Sequence, residues 1–182
     1  EDTYLPSFEA PIVQADAKGY MCAYTSVNKL PSCGSAFLSD TARNEWNFSG
    51  YVVSDCGGVG DIKGYLKVND TEAAAIALAK GGVDINCGGT LTNNICSSIE
   101  EGLVAETMLD ESLHRSLTLL FDAGMFDPLD DQPFTTIGFD QIGSNASRAL
   151  AYEASAQALV LLKNENATLP LATSENIAIV GP

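Results

Sequence analysis

The sequence of 182 residues has one histidine, one tryptophan and nine basic residues set against 24 acidic ones. The lone imidazole, His114, excludes His-rich zinc centres and H-E-x-x-H proteases, which need at least two. Its place on the flank of an expected helix makes it a hydrogen-bonded interhelical residue. A formal charge of −15 repels a phosphate backbone and an anionic bilayer, so neither nucleic acid nor membrane is an expected partner. The longest apolar runs, 73–79 and 158–162, fall far short of the roughly 18–20 residues that cross a bilayer. The five cysteines, Cys22, Cys33, Cys56, Cys87 and Cys96, include no C-x-x-C pair of the kind used for zinc or thiol exchange. No G-x-S-x-G elbow is present, which argues against a Ser-His-Asp hydrolase. The glycine-rich run 56–60 (CGGVG) lacks the G-x-G-x-x-G spacing and no helix is expected directly after it, so a dinucleotide site is disfavoured.

What is present is a globular composition, 46% hydrophobic, with a repeating order of elements. Tyr20 to Tyr24, Tyr51 to Asp55 and Val83 to Asn86 read as buried strands, and their starts lie 31 and 32 residues apart. Helical patterns fill the gaps at Ser39 to Trp46 and Glu72 to Lys80, the second led by Asp70 and Thr71 as caps and stopped by Gly81 and Gly82. This is β-α-β-α-β at the spacing of parallel crossover units, hence an α/β fold. Two further helices are expected, Leu91 to Glu101 and Asp110 to Ala123, the second with Leu113, Leu117, Leu120 and Phe121 as its apolar stripe. Residues 127–143, rich in Pro, Gly and Asp, read as a linker between a first domain, 1–126, and the start of a second, 144–182. The second holds a helix over Ser147 to Leu162 and a strand over Ile177 to Val180, too little to bury its own faces, so the chain is expected to be a fragment. Residues 1–8 lack a starting Met, a basic segment and an apolar segment, so any signal peptide lies outside them.

Functional groups of parallel α/β folds gather at the carboxyl ends of the strands. Asp55 ends a buried strand and precedes Cys56-Gly57-Gly58, where a ligand can approach closely. Asp84 lies inside its strand, where a carboxylate must be paired or hydrogen-bonded. Asn-x-Ser/Thr occurs at Asn47, Asn69, Asn145 and Asn166, against about two sequons expected from random order, which points to a glycosylated, secreted protein.

The runs Met21 to Cys33 (MCAYTSVNKLPSC) and Arg43 to Cys56 (RNEWNFSGYVVSDC) resemble glycoside hydrolase family three, in its β-xylosidase-like branch. Gly82 to Gly88 (GVDINCG), Gly124 to Pro128 (GMFDP), Leu159 to Leu171 (LVLLKNENATLPL) and Ile177 to Pro182 (IAIVGP) extend the resemblance, in order, over the whole chain. It implies the last three or so β/α units of a (β/α)8 TIM barrel, followed by the beginning of an α/β sandwich domain. It also implies a retaining exo-β-glycosidase, a β-xylosidase acting on xylo-oligosaccharides with no metal or organic cofactor. Asp55 would be the nucleophile, Tyr24 and Met21 sugar-subsite residues, and Cys56, in place of the Trp common in glucosidases, a further subsite residue. The acid/base would lie downstream of Ile177 to Pro182, so these residues alone are expected to be inactive. Ala23 stands where the family usually has Ser, and Lys29 and Asn47 where it has Gly. The alternatives are a β-glucosidase and a non-catalytic carbohydrate-binding descendant.

If the protein is secreted, two disulfides fit the expected strand ends: Cys22 with Cys33 around one loop, and Cys56 with Cys87 on neighbouring strands, leaving Cys96 free. Five buried thiols are the competing arrangement.

Overall fold

The computed structural model describes residues 2–172 together with 176, 178, 180 and 181. They fall into two compact units, Glu1–Asp127 and Pro128–Pro182. The first opens with helix α1 (Pro6–Val13), strand β1 (Gly19–Cys22) and a small hairpin of β2 (Ser26–Val27) and β3 (Leu30–Pro31). Helix α2 (Ala36–Asp40), extended by a π turn over Thr41–Glu45, leads to strand β4 (Tyr51–Ser54). Helices α3 (Gly58–Leu66), α4 (Asp70–Ala79), α5 (Thr90–Glu100) and α6 (Glu106–Asp122) follow. In the second unit the α-helix is α7 (Asn145–Ala158), where Ser144 accepts a hydrogen bond from the Ser147 N–H at 3.3 Å. The expected strand over 177–180 depends on Ile177 and Ile179, which lie outside the described residues.

β1 and β4 pair in parallel, Gly19 with Tyr51 through Cys22 with Ser54. The third expected strand, Val83 to Asn86, is reduced to a single parallel bridge between Val53 and Ile85. The cause is Asp84. The Val52 carbonyl accepts from the N–H groups of both Asp84 (2.8 Å) and Ile85 (3.0 Å), while the Val52 N–H donates to the Asp84 carboxylate at 2.9 Å. A side chain thus takes the place of a ladder carbonyl, and regular pairing stops.

Other boundaries shift for local reasons. A helix does follow the glycine-rich run directly: Gly57, at φ +88°, makes a left-handed entry that suits glycine, and α3 begins at Gly58. Helix α4 is capped by Asn69, not by Asp70 or Thr71. The Asn69 side chain accepts from the Glu72 N–H at 2.8 Å, and the Glu72 carboxylate accepts from the Asn69 N–H at 2.9 Å, a complete capping box. Four alanines and Leu78 of α4 are buried, and it packs on α3, α5 and α6. At its end a Cβ on Gly81 would stand 1.9 Å from the Cys33 carbonyl oxygen, so only glycine lets the two backbones meet.

The apolar stripe of helix α6 is left uncovered by the described residues: Leu113, Leu117, Leu120 and Phe121 are between 36% and 64% exposed. The side packed on the core carries Met108, Leu109, Ser112 and Arg115. Arg115 anchors that side, because its Nε and Nη2 donate to Asp84 Oδ1 at 3.0 and 2.8 Å. His114, next to it, is exposed and not interhelical.

The Asp84 side chain is 0% exposed. Its Oδ2 accepts from Arg43 Nη2 at 3.1 Å and from the Val52 N–H, so both oxygens are filled. Arg43 also donates to the Gly50 carbonyl at 3.1 Å, and its guanidinium lies 5.5 Å from the centre of the Phe48 ring. Burial, then the neighbouring Arg115 charge, lower the Arg43 pKa, an effect Asp84 opposes.

Two predictions follow from this core. Removing one partner of a buried pair leaves an uncompensated charge, so Asp84→Ala should cost about 3–5 kcal/mol in urea unfolding, and an unchanged midpoint would refute the role. Tyr20 Oη is buried with no hydrogen-bond partner among the described residues, and burial pushes its pKa up to about 12. The unfolded chain therefore loses this proton at lower pH than the folded one. Ionisation leaves stability unchanged below pH 10 and lowers it between about pH 10 and 12, by about 2–3 kcal/mol in all. Tyr20→Phe should leave stability at pH 7 unchanged or higher and flatten that alkaline loss.

Candidate active site

Strand alternation buries Val52 and Ser54 on the helix-covered face of β4 and turns Tyr51 and Val53 to the other. Asp55, two residues beyond Val53, continues that second face at the end of the strand. Its N–H donates to the Cys22 carbonyl at 2.9 Å and its carbonyl accepts from the Gly58 N–H at 2.9 Å. The carboxylate Oδ1 accepts from the Cys56 N–H at 2.7 Å. The side chain is thus oriented by a rigid turn while remaining half-exposed.

Tyr24 lies beside it. The phenol donates to the Cys56 carbonyl at 2.7 Å, and hydrogen bonding to Asp55 holds the Tyr24 pKa above its usual value, with the negative charge of Asp55 adding to the effect. Met21 pairs with Val53 across the sheet and shares its face; Met21 is 56% exposed and Tyr24 51%. The structure therefore brings Asp55, Tyr24 and Cys56 into direct contact and sets Met21 on the same face of the sheet.

Both expected disulfides are formed, Cys22–Cys33 with Cα atoms 5.1 Å apart and Cys56–Cys87 with Cα atoms 4.4 Å apart. Cys96 is free and exposed on α5. The bridges brace the turn from two sides. A Cβ on Gly58 would lie 3.1 Å from Cys33 Sγ, so the first bridge packs beneath the start of α3. The second joins the residue after Asp55 to the end of the bridge strand, where the Cys87 carbonyl also accepts from the Gly57 N–H at 2.7 Å.

Two residues of this region escape reading from sequence. Ser54 Oγ accepts from Asn86 Nδ2 and from the Cys87 N–H, both at 3.0 Å. Their signal is faint: a hydroxyl at a position whose alternation calls for an apolar side chain, and an amide closing an apolar run.

Chemically, the arrangement offers a fixed carboxylate with a phenol at its side, suited to attack on an electrophilic carbon. Among the described residues no group of three His, Cys, Asp or Glu is placed to hold a metal ion. A cavity of about 540 Å³ under α1 includes Met21 but not Tyr24, Asp55 or Cys56. The four sequon asparagines, Asn47, Asn69, Asn145 and Asn166, are all exposed.

Comparison with known proteins bears on this geometry. The chain is 42% identical over its whole length to "Probable beta-D-xylosidase 6" of Arabidopsis thaliana, of which it covers 24%. It is 36% identical over 98% of its length to "Exo-1,4-beta-xylosidase bxlB" of Emericella nidulans, again covering 24%. Among solved structures, 94% of the chain superposes on 22% of a GH3 exo-beta-xylosidase (XlnD) in complex with a xylobiose aziridine activity-based probe, at TM-score 0.81 and 32% identity. A beta-glucosidase from Listeria innocua in complex with glucose matches 92% of the chain and 23% of its own at TM-score 0.76 and 34% identity. The chain thus spans about a quarter of the length of the curated relatives it matches. Residues 1–119, which hold Asp55, Tyr24 and both disulfides, match the glycosyl hydrolase family 3 N terminal domain, and the chain belongs to that family.

Proposed function

We propose that this chain carries the nucleophile of a retaining exo-β-glycosidase that releases xylose from xylo-oligosaccharides. The observation that carries the reading is Asp55, its carboxylate held at a strand end by the Cys56 N–H with Tyr24 against it, in a chain 42% identical to a β-xylosidase-named relative. In the first step an Asp55 oxygen attacks the anomeric carbon, the bond to the leaving oxygen breaks, and a second carboxylic acid protonates that oxygen. In the second, that carboxylate takes a proton from water, the water oxygen bonds to the anomeric carbon, and the ester bond to Asp55 breaks. The acid/base comes from outside these residues. Tyr24 and Met21 line the sugar subsite. The Cys56–Cys87 bridge, beside Asp55, forms part of the wall that closes the subsite to the hydroxymethyl of a hexose.

On this reading residues 1–126 are the last three or so β/α units of a (β/α)8 barrel, 127–143 a linker and 144–182 the start of an α/β sandwich. The protein is secreted and glycosylated. A β-glucosidase is the second reading, favoured by the Listeria innocua neighbour.

The test uses a polypeptide of the relatives' full length containing this segment. Asp55→Ala should lower kcat by about 10⁴-fold or more with the fold intact, and retained activity would move the nucleophile elsewhere. In the unaltered enzyme kcat/KM on a β-xyloside should exceed that on the β-glucoside at least tenfold, about 1.4 kcal/mol. Equal or reversed values would transfer the assignment to the β-glucosidase.

Glycosylation has its own test at Asn69. A glycan bonds to Nδ2 and leaves Oδ1, the atom that caps α4, still able to accept the Glu72 N–H. Secreted from a eukaryotic host, the protein should carry a glycan on Asn69 by peptide mass spectrometry. Asn69→Asp should remove the glycan and keep the cap, whereas Asn69→Ala should lose about 1 kcal/mol. An unmodified Asn69 peptide in secreted protein would reject the assignment.

A further inference from the structure

We infer that Ser54 and Asn86 are positioning residues for Asp55, a role that rests on Asp55 being the nucleophile. Ser54 is 1% exposed, on the opposite face of the strand from the substrate side. Its Oγ is the shared acceptor of two donors, the Asn86 amide and the Cys87 N–H, each at 3.0 Å. Asn86 continues the connection, because its Oδ1 accepts from the Leu91 N–H at 3.1 Å in the first turn of α5, where backbone donors lack helical partners. One amide therefore links the end of β4 to the start of α5.

The bonds close into a circuit around the nucleophile. Ser54 holds the N–H of Cys87; the Cys87 carbonyl holds the N–H of Gly57; the Cys87 sulfur is bonded to Cys56; and the Cys56 N–H donates to Asp55 Oδ1. Ser54 is also joined to Asp55 through the chain itself. Three ties to the Asp55 turn thus meet at Cys87, its N–H, its carbonyl and its sulfur, and Ser54 fixes the backbone of Cys87 at the same level as its own. The disulfide alone cannot do this, since its linkage pivots about the side-chain bonds of both cysteines. Without the hydroxyl, two donors lose their acceptor and the Cys87 anchor is free to drift. A carboxylate displaced by about 1 Å from its line of attack can lose about 10²-fold in rate.

The test uses the same full-length polypeptide and an aziridine probe of the xylobiose type, which labels the nucleophile covalently. Peptide mapping of the unaltered protein should place the label on Asp55. Ser54→Ala and Asn86→Ala should each lower the labelling rate constant 10- to 100-fold, while the final stoichiometry and the KM for a β-xyloside change less than threefold. A general loss of folded protein would lower stoichiometry instead. Ser54→Thr, which retains the acceptor, should recover most of the rate, and the Ser54→Ala/Asn86→Ala double variant should be little slower than either single one. Should Ser54→Ala fail to fold, the half-buried Asn86→Ala decides. Labelling at the unaltered rate in Asn86→Ala overturns the inference and leaves the nucleophile in place. A label elsewhere than Asp55 in the unaltered protein overturns both.

Discussion

A buried carboxylate needs hydrogen-bond partners, and Asp84 ties together four parts of the first unit. Arg43 comes from the π turn after α2, the Val52 N–H from β4, Arg115 from the middle of α6, and the acid itself from the bridge strand. None of these segments can leave without exposing charge to a low-dielectric interior. The ion cluster also decides geometry that apolar burial leaves open. It interrupts the third strand after one bridge and holds the Arg115 side of α6 toward Asp84.

The carboxylate at the other end of the strands obeys a different logic. Asp55 makes no ion pair among the described residues; its carboxylate accepts from the Cys56 N–H and lies beside the Tyr24 phenol. Such neutral partners orient a carboxylate without neutralising it. The two disulfides and the left-handed Gly57 supply rigidity that ion pairs supply around Asp84. The two acids thus differ in kind, one closed by charge and one left open by its absence.

Much of this was legible from residue order. Asp55 can be singled out because it ends a short apolar run ahead of Cys56-Gly57-Gly58, a pattern that a loop-capping acid shares, and the cysteines can be paired because strand ends place them near one another. Asp84 could be marked as paired, yet its partners could not be named, since Arg43 and Arg115 lie 41 and 31 residues away. Hydrophobic spacing on α6 records which face is apolar and says nothing of which face carries an arginine to a distant acid. Helix α3 is hard to read from residue order because its first residues include glycines, poor helix formers on average, although Gly57 is what allows the helix to start. Asn69 and its acidic neighbour cannot be told apart by residue type because Asp and Asn cap comparably well, and the reciprocal bond from Glu72 decides between them.

The alternation along β4 gives the strand two faces of different kind. Val52 and Ser54 are buried toward the helices, whereas Val53 and, one step on, Asp55 face away from them. A change of side chain at Val53 can therefore alter the open face of the strand with little disturbance of the packed one, because the pleat keeps the two apart.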